Sequence, residues 1–423
     1  MIFDKFSFHR NILEAIKEAE YTEPTEIQQK AFPIILEGED LVGCAQTGTG
    51  KTAAFAIPIL HYLIPIVGSI KKRKYIRTIV LAPTRELALQ IEESFNTYGK
   101  YTNCETLTVY GGVSQNNQVD KLKKGIDILI ATPGRFLDLH KQGFIDINHI
   151  HHLVIDEADL MLDMGFINDV RKITKLASSN RQTLLFSATM PIEIREIADE
   201  FLKKPKYIEV KSSFTNSQNI EQSVYFVEKS EKKQLLLQVL KNLNLEEAII
   251  FVRTKHGADN LNEFLGKHNY NANALHGDKS QSARQQILDD FKNKKIRFLI
   301  ATDVASRGID IEQLPVVINY DLSNIPETYI HRIGRTGRAG NSGIAISFCG
   351  KDEEVYWKEI VKILKSKVKV ITEHPFQWKN NASKQNSKTV QSKQSSSTTK
   401  NKNQSKSKSR KSDNSKKNKR RWY

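Results

Sequence analysis

The chain has few cysteines and no long uninterrupted apolar run, and both shortages exclude whole classes of protein. Cys44, Cys104 and Cys349 are odd in number and far apart in a chain of 423 residues, which fits neither a disulfide framework nor a zinc site. The longest apolar stretch, residues 53–68, is interrupted by two prolines and a histidine, and the N-terminus lacks an apolar signal core. We therefore expect a cytoplasmic protein without a membrane anchor.

Positive charge is concentrated at one end of the chain. Of the net +16, residues 374–423 contribute +14, because they hold 15 Lys and Arg against a single Asp, so residues 1–373 carry only +2. The same segment is rich in Ser, Asn, Gln and Lys, and it has too little apolar surface to offset the entropy cost of ordering. The sequence thus predicts a disordered basic tail, where a polyanion partner is to be sought first.

Short apolar segments recur before this tail, and each ends abruptly in a polar or glycine cluster. Near-continuous apolar strands separated by helix-length spacers indicate parallel sheets covered by helices on both faces, the α/β class. Ligands bind beyond the carboxyl ends of such strands. The eight segments are TIVLAPT at 78–84, ILIATPG at 128–134, HLVIDEAD at 152–159, TLLFSAT at 183–189, AIIFVRT at 248–254, FLIATD at 298–303, VVINYDL at 316–322 and IAISFCG at 344–350.

The polar segment KSSFTNSQN divides these eight segments into two series of four. It lacks apolar periodicity, as a linker does. ILIATPGR in the first series and FLIATDVASR in the second echo each other, which favours two related α/β units. The predicted organisation is a first domain over residues 1–210, a linker over 211–219, a second domain over 220–373 and the tail over 374–423.

A glycine-rich loop lies between an apolar strand candidate and a long apolar helix candidate, as phosphate-binding loops do. Gly48 and Gly50 would let backbone N–H groups turn toward phosphates, Lys51 would reach the terminal phosphates, and Thr52 would ligate Mg²⁺. The strict pattern GxxxxGK[ST] has glycine where this chain has Ala45. The candidate nucleotide-binding residues of the loop are Ala45, Gln46, Thr47, Gly48, Thr49, Gly50, Lys51 and Thr52.

Acidic side chains follow the apolar segment that begins at residue 152. A nucleotide loop needs a second strand end that presents a carboxylate to the metal; Asp156 fits this role, acting on Mg²⁺ through water. Glu157 can orient or deprotonate the attacking water, and Asp159 can couple the loop to its surroundings. A run of acids can also be a solvated helix start, but pairing with Lys51, expected on an adjacent parallel strand, favours catalysis. Asp163 is predicted to be an exposed helix residue.

Residues 156–159 spell DEAD, and together with the loop they make the chain resemble the DEAD-box ATP-dependent RNA helicases of superfamily 2. The compact core with a short Lys/Ser/Asn-rich tail resembles the bacterial cold-shock members of this family, which suggests a role in ribosome assembly or RNA turnover at low temperature. Further motifs of this family occur in order over roughly residues 3–350. The resemblance implies two tandem RecA-like domains, ATP and Mg²⁺ as cofactors, and RNA as the partner. It also implies local separation of short duplexes, with hydrolysis of ATP to ADP and phosphate releasing the RNA.

The resemblance assigns the adenine site to YTEPTEIQ at residues 21–28. In that assignment Gln28 hydrogen-bonds the adenine edge, Tyr21 stacks on its ring, and Phe3 is a supporting aromatic. The family usually has glycine where this chain has Glu20.

RNA-backbone contacts are likewise assigned by resemblance. In the first domain they fall on PTREL, the Gly111-Gly112 pair and TPGR, while Ser187-Ala188-Thr189 matches the motif that links hydrolysis to strand opening. In the second domain the matching segments are FVRT, Gln281 with Arg284, ATDVASRGID and HRIGRTGR. The RNA-binding candidates are Pro83, Thr84, Arg85, Gly112, Thr132, Pro133, Arg135, Arg253 and Thr302.

The second domain also supplies nucleotide contacts in this assignment. Asp310 would bind the ribose, and Arg335 and Arg338 the phosphates. With Lys51, Asp156 and Glu157 on the first domain, neither domain alone would surround the γ-phosphate, so hydrolysis would require closure. Arginines on a flexibly linked domain would make ATP hydrolysis conditional on RNA, bound largely without regard to sequence.

Other interpretations of the same residues stay open. TPGR could be a plain turn, Ser187-Ala188-Thr189 a strand-end cap, and HRIGRTGR a basic surface loop. A DNA-directed helicase or translocase shares the phosphate loop and the arginine motif, and an ATP-gated RNA clamp would use the same residues for binding alone. The tail, with Trp378, Trp422 and Tyr423 as possible base-stacking groups, could hold RNA or only aid solubility. Ribosomal or RNA-decay proteins are possible partners.

Overall fold

Two parallel sheets organise the chain. The computed structural model describes residues 2–46, 48–68, 75–210, 220–306, 314–337, 342–364 and 367–378, and these form two lobes, residues 2–210 and 220–378. Each lobe contains a seven-stranded sheet in which every strand pair is parallel within the described residues. The predicted α/β class and the two tandem domains are confirmed. The expected linker at 211–219 lies outside the described residues.

The first lobe alternates strands and helices after two N-terminal helices. Its sheet has the order β3-β4-β2-β5-β6-β1-β7. Its strands are β1 Leu41–Cys44, β2 Thr78–Leu81, β3 Thr106–Val109, β4 Ile128–Ala131, β5 His152–Ile155, β6 Gln182–Ser187 and β7 Lys206–Glu209. Its helices are α1 Arg10–Glu18, α2 Glu26–Leu36, α3 Lys51–Gly68, α4 Arg85–Tyr98, α5 Asn116–Lys124, α6 Pro133–Lys141, α7 Ala158–Asp163, α8 Ile167–Leu176 and α9 Ile192–Phe201.

The second lobe repeats this plan, with the sheet order β10-β11-β9-β12-β13-β8-β14. Its strands are β8 Ile220–Phe226, β9 Ala248–Val252, β10 Ala272–Leu275, β11 Phe298–Thr302, β12 Val316–Asn319, β13 Gly343–Cys349 and β14 Lys369–Ile371. Its helices are α10 Lys232–Asn242, α11 Lys255–Lys267, α12 Gln281–Lys292, α13 Asp303–Ser306, α14 Pro326–Ile333 and α15 Glu354–Ile363. Short 3₁₀ helices also occur at Ile2–Phe6, Lys229–Glu231 and Lys351–Glu353.

Burial on both faces explains why the central strands are apolar throughout. In β2, Val80 belongs to the core cluster on one face of the sheet, while its neighbours Ile79 and Leu81 belong to the cluster on the other. Successive side chains of a strand point to opposite faces, so a strand with helices on both sides has no solvent-facing position. The eight apolar segments of the sequence all become interior strands, namely β2, β4, β5, β6, β9, β11, β12 and β13; β1 and β8 are interior as well.

Helix α3 connects this core to the phosphate loop. Within the described residues it is the one helix long and apolar enough to cross a membrane, with a mean hydropathy of 1.4 over 18 residues. However, 61% of that segment is buried inside the fold, where Phe55, Ile59 and Leu63 join the core of the first lobe. Its apolar character therefore has a structural cause, namely central packing beside the sheet.

The second lobe continues past the expected start of the tail at residue 374. Gln377 forms an antiparallel bridge with Val227, and the ring of Trp378 stacks on Phe226 with the centroids 5.7 Å apart and the planes 7° from parallel. The expected stacking group Trp378 thus packs against its own lobe. The predicted disorder of the remaining tail, with Trp422 and Tyr423, lies outside the described residues.

Candidate nucleotide and RNA site

The phosphate loop joins the end of β1 to the start of α3. Glycine is required in it for two reasons, a positive φ and a close contact. Gly48 and Gly50 have φ of 82° and 88°, in the left-handed region that side chains with a Cβ avoid. A Cβ on Gly50 would also lie 2.4 Å from Gln28 Nε2. Thr47 of the predicted loop lies outside the described residues.

Lys51, Asp156 and Glu157 meet at the carboxyl edge of the first sheet. Lys51 is 5% exposed; its Nζ donates to the carbonyl of Ala45 at 2.8 Å and lies 2.8 Å from Glu157 Oε1. The expectation that the two strands are adjacent is wrong, because β6 lies between β1 and β5. Sequence order does not determine strand order, and the long lysine side chain reaches the acid from the other side of β6.

Glu157 has a strained backbone. Its φ and ψ are 54° and 56°, which costs a residue with a Cβ about 1–2 kcal/mol. It immediately precedes α7, and its carbonyl accepts the N–H of Met161 at 3.0 Å. Strain of this kind concentrates at functional sites, where the surrounding structure maintains it. Here it places the carboxylate beside Lys51.

Burial dominates the electrostatics of these groups. Burial, and next the charge of Glu157, raise the pKa of Asp156 to about 7, although its Oδ1 accepts the N–H of Glu157 at 3.0 Å. Burial opposes the charge on Lys51, but Glu157 and Asp156 outweigh it and raise the pKa of the lysine. A buried carboxylate destabilised in its charged form is one that a cation would stabilise.

Asp156 and Thr52 could hold such a cation. Mg²⁺ prefers oxygen ligands and is usually bound by one or two carboxylates together with substrate phosphates. Within the described residues, no group of three or more His, Cys, Asp or Glu is arranged to hold a metal. The Asp156 carboxylate and the Thr52 hydroxyl are oxygen ligands of the kind that Mg²⁺ uses beside phosphates.

Asp159 ties the acidic turn to the end of β6. Its Oδ2 accepts hydrogen bonds from the backbone N–H of Thr189 at 2.9 Å and from the Thr189 hydroxyl at 2.8 Å. Its own N–H donates to Ser187 Oγ at 3.3 Å. The DEAD residues are thus bonded to the Ser187-Ala188-Thr189 segment, while Asp163 is exposed at the end of α7.

Of the predicted adenine residues, Gln28 contacts the loop directly. Gln28 is 1% exposed; its Oε1 accepts the N–H of Thr25 at 3.0 Å, and its Nε2 donates to the carbonyl of Gly50 at 3.2 Å. Tyr21 is 38% exposed, so part of its ring is open to a stacking partner. Between α1 and Tyr21, Glu20 adopts φ of 60°, the left-handed conformation for which glycine is better suited.

Most predicted RNA residues of the first lobe gather around one cavity of about 480 Å³. Arg85 lies over Gly112, where a Cβ would come within 2.3 Å of its guanidinium and φ is +78°. Arg135 is oriented by Gln118 Oε1 at 3.1 Å and by the carbonyl of Val113 at 3.2 Å. The predicted residues that line the cavity are Pro83, Thr84, Arg85, Thr132 and Arg135.

The second lobe closes one side of this cavity. Arg284 lines it and forms an ion pair with Glu86 at 3.0 Å, with side chains 11% and 4% exposed. Gln281 Nε2 donates to Glu86 Oε1 at 3.2 Å, and its Oε1 accepts from Arg85 at 3.4 Å. Burial lowers the pKa of Arg284, and Glu86 counteracts that effect. The Gln281-Arg284 motif therefore binds the start of α4 across the lobe contact.

Of the remaining candidates of the second lobe, Arg253 follows β9, Thr302 ends β11 and Arg335 follows α14. Thr302, at the end of β11, and Arg335 are both 8% exposed. Arg253 donates to Glu353 Oε1 at 2.9 Å and to the carbonyl of Leu322 at 3.0 Å, yet its side chain stays 43% exposed. Asp310 and Arg338 lie outside the described residues.

Sequence reasoning missed Arg332, which precedes the two arginines it selected. Arg332 is 2% exposed; its Nε lies 2.6 Å from Asp303 Oδ1 and its Nη2 2.8 Å from Asp303 Oδ2. It also donates to the carbonyl of Asp321 at 2.6 Å. No local signal marks it, because its partners Asp303 and Asp321 lie 29 and 11 residues away along the chain.

The first lobe carries a phosphate loop and acids, and the second lobe, of like topology, carries arginines. This combination is that of a two-lobed nucleoside triphosphatase. Residues 25–197 match the family model described as DEAD/DEAH box helicase. Residues 231–340 match that of the helicase conserved C-terminal domain. The chain belongs to the DEAD-box family and is an ATP-dependent RNA helicase.

Individual relatives agree with this assignment. The chain is 42% identical over 366 residues to ATP-dependent RNA helicase CshA of Listeria monocytogenes, covering 86% of this chain and 69% of that protein. It is also 42% identical over 348 residues to DEAD-box ATP-dependent RNA helicase CshA of Geobacillus kaustophilus, covering 82% and 73%. The solved structure of S. cerevisiae Dbp5 bound to RNA and ADP BeF3 is similar with a TM-score of 0.78 and 31% identity, over 87% of this chain and 95% of that one.

Proposed function

We propose that ATP and RNA together hold the two lobes closed, that closure parts a short RNA duplex, and that hydrolysis reopens the lobes and releases the strands. The observation that carries this proposal is the cavity of about 480 Å³, because Arg85 and Arg135 of the first lobe line it together with Arg284 of the second. A strand bound there contacts both lobes at once. Its occupancy therefore favours the arrangement in which the lobes meet.

The nucleotide binds at the edge where Lys51 and Glu157 meet. The ammonium group of Lys51 is paired with Glu157 at 2.8 Å. The terminal phosphates of ATP compete for the same ammonium group, and this frees the Glu157 carboxylate to orient the attacking water and accept its proton. The base stacks on Tyr21 and is hydrogen-bonded by Gln28. Because Gln28 also donates to the Gly50 carbonyl, binding of the base is coupled to the conformation of the phosphate loop.

Asp156, through water, and Thr52 would hold Mg²⁺. The ion, when bound, neutralises part of the charge on the phosphates. The buried Asp156, whose pKa is raised to about 7 mainly by burial, is suited to this role because a neighbouring cation restores its charged form.

The second lobe completes the site. Arg335 and Arg338 stabilise charge on the transferring phosphoryl group, and Asp310 binds the ribose. Such an arginine accelerates phosphoryl transfer about 10³ to 10⁵-fold, which corresponds to roughly 4–7 kcal/mol. Because these groups and Lys51 belong to different lobes, hydrolysis depends on closure and hence on RNA.

RNA is held by its backbone. The contributing residues lie at strand ends and helix N-termini, as Thr84 does where it caps α4 and accepts the N–H of Leu87 at 3.2 Å. Groups of this kind address phosphates and sugars, so binding is largely independent of sequence. The residues assigned to RNA are Pro83, Thr84, Arg85, Gly112, Thr132, Pro133, Arg135, Arg253 and Thr302.

Comparing nucleic acids tests this function against its rivals. The intact chain is expected to hydrolyse ATP faster with single-stranded RNA than with DNA of the same sequence, and to separate short RNA duplexes over many turnovers. Equal stimulation by DNA would favour a DNA-directed helicase or translocase. Long-lived RNA complexes without duplex separation would favour an ATP-gated clamp.

The cellular setting we propose is cytoplasmic RNA remodelling in ribosome assembly or RNA decay, particularly in the cold. A compact two-lobed core with a short Lys/Ser/Asn-rich tail supports this, since it resembles bacterial cold-shock DEAD-box helicases. Ribosomal or RNA-decay proteins are the partners expected. Crosslinking of the protein to cellular RNA before and after a temperature downshift is expected to enrich ribosomal precursors or decaying transcripts; recovery of neither class would contradict the proposal.

A further inference from the structure

The last residue of α4 contacts the residue proposed to stack on adenine. Tyr98 is 5% exposed, and its hydroxyl lies 3.0 Å from the hydroxyl of Tyr21. The two rings meet edge to face, with the centroids 5.8 Å apart and an interplanar angle of 81°. A buried tyrosine hydroxyl needs a hydrogen-bond partner, and Tyr21 provides one while leaving part of its own ring exposed.

The backbone that carries Tyr21 is held at the same place. The N–H groups of Tyr21 and Glu20 donate to the carbonyls of Ile16 and Lys17, both at 3.1 Å, the bonding pattern of a Schellman motif at the end of α1. The turn determines where Tyr21 leaves the helix. The orientation of its ring is then determined by Tyr98.

Further hydrogen bonds, separate from the tyrosine pair, join the residues after α4 to α1. Glu18 accepts hydrogen bonds from Lys100 and Tyr101, and Asn11 Nδ2 donates to the carbonyl of Tyr101 at 2.6 Å. Tyr98 is thus part of a fixed support, and the exposed Tyr21 is the side chain it supports.

The opposite end of α4 lies at the lobe contact. The helix is 14 residues long, about 20 Å at 1.5 Å per residue. Its first turn carries Glu86, the partner of Arg284. Glu86, Ile91, Phe95 and Tyr98 are all buried, so one packed helix spans the distance from Tyr21 to the second lobe.

We propose that Tyr98 is a positioning residue, which holds the Tyr21 ring in the orientation that stacks on adenine and, through α4, couples base binding to the lobe contact at Glu86. The inference rests on the proposed stacking role of Tyr21. Tyr98 itself does not touch the base. It acts through the hydroxyl pair and the edge-to-face contact.

Removal of single hydroxyl groups tests this role in the full-length chain. Tyr98→Phe and Tyr21→Phe each keep an aromatic ring but remove the same hydrogen bond. A neutral hydrogen bond contributes about 0.5–1.5 kcal/mol, so we expect each variant to bind a non-hydrolysable ATP analogue about 2- to 12-fold more weakly. Because both changes remove one interaction, the double variant is expected to lose no more than either single one.

Two further readouts separate positioning from a merely structural role. Tripolyphosphate, which lacks the base, is expected to bind Tyr98→Phe and the unaltered chain equally. The factor by which RNA tightens binding of the ATP analogue is expected to fall in Tyr98→Phe, since coupling between two ligands is reciprocal. Tyr207→Phe is the matched control: it removes a tyrosine hydroxyl that donates to Asp199 at 2.9 Å, which contacts neither Tyr21 nor Tyr98, and we expect unchanged affinity.

The contrary outcomes are distinct. Unchanged affinity of Tyr98→Phe for the ATP analogue, or an equal loss for tripolyphosphate, would overturn the positioning role. Tyr21→Ala separates this failure from that of the proposed adenine site: if Tyr21→Ala binds the analogue normally, the stacking role of Tyr21 fails and the inference with it. If Tyr21→Ala binds weakly while Tyr98→Phe binds normally, only the inference fails.

Discussion

At the scale of single residues, two glutamates occupy backbone positions that favour glycine. Glu20 and Glu157 have φ of 60° and 54°, each at a cost of about 1–2 kcal/mol. Glu20 stands where the family usually has glycine, and the turn forms nevertheless, because the hydrogen bonds at the end of α1 and the contact of Tyr21 with Tyr98 over-determine it. Glu157 cannot be exchanged for glycine in the same way, since its carboxylate is the proposed catalytic group.

Replacing Glu157 by glutamine tests that role. The amide has nearly the same shape but neither the charge that pairs with Lys51 nor the basicity to accept a proton. General-base catalysis contributes about 10² to 10⁴-fold, so we expect kcat for RNA-stimulated ATP hydrolysis to fall by that order while ATP and RNA still bind. Asp163→Asn, on the exposed end of α7, is the control and is expected to hydrolyse ATP normally. Normal turnover by Glu157→Gln would remove this residue from catalysis.

At the scale of elements, the strand β5 begins with a buried histidine, His152, at the end opposite Asp156. Burial lowers the pKa of His152 to about 3, and its Nδ1 lies 3.3 Å from the hydroxyl of Thr78 on β2. The neighbouring His151 also has a lowered pKa, again mainly through burial. The native state keeps His152 neutral, whereas the unfolded chain protonates it near pH 6.5.

This difference predicts acid sensitivity. Between pH 6.5 and about 3 the unfolded state binds a proton that the native state does not, so the free energy of unfolding of the first lobe decreases as pH falls. The decrease from His152 is at most about 1.4 kcal/mol per pH unit, and it is absent above pH 6.5. Urea unfolding at pH 7.0 and at pH 5.5 measures this change in the free energy of unfolding.

His152→Asn keeps a polar group near Thr78 and removes the titration, so its stability is expected to depend less on pH by that amount. His256→Asn changes an exposed histidine of the second lobe and serves as the control. If His152→Asn and the unaltered chain lose stability equally on acidification, His152 is not the group responsible.

At the scale of the whole molecule, charge separates the core from the tail. Residues 379–423 contain all 15 Lys and Arg counted after residue 373 and one Asp, whereas residues 374–378 pack beside β8. Truncation after Trp378 therefore removes the basic segment and leaves the packed end of the second lobe intact. A truncation at residue 374 would also remove Gln377 and Trp378, which contact the second lobe.

The truncated chain is expected to bind RNA more weakly and with less dependence on salt. For each phosphate that the protein no longer neutralises, the slope of log K against log salt becomes shallower by about 0.7 for a single strand. Affinity for single-stranded RNA at several salt concentrations measures this, with ATP hydrolysis at saturating RNA as the control for the core. An unchanged slope would make the tail a bystander in RNA binding.

Local sequence patterns were sufficient to predict most interior strands and the motifs that follow them. Interior strands such as β2 and β5 are buried on both faces, so their apolar runs and the motifs that end them are visible in the sequence. Edge strands were not found: in β7 three of four residues are exposed, and β14 has three residues. A strand that faces solvent needs no apolar run, and only pairing with β1 or β8 makes it a strand.

The sequence by itself determined the α/β class, the phosphate loop and the position of the DEAD acids, because each depends on residues close together along the chain. Only the tertiary structure decided that β6 separates β1 from β5, that Arg332 is buried against Asp303, and that Arg284 reaches Glu86 across the lobes. These contacts join residues that are distant in sequence, and their geometry follows from strand order and helix packing, which no local pattern encodes.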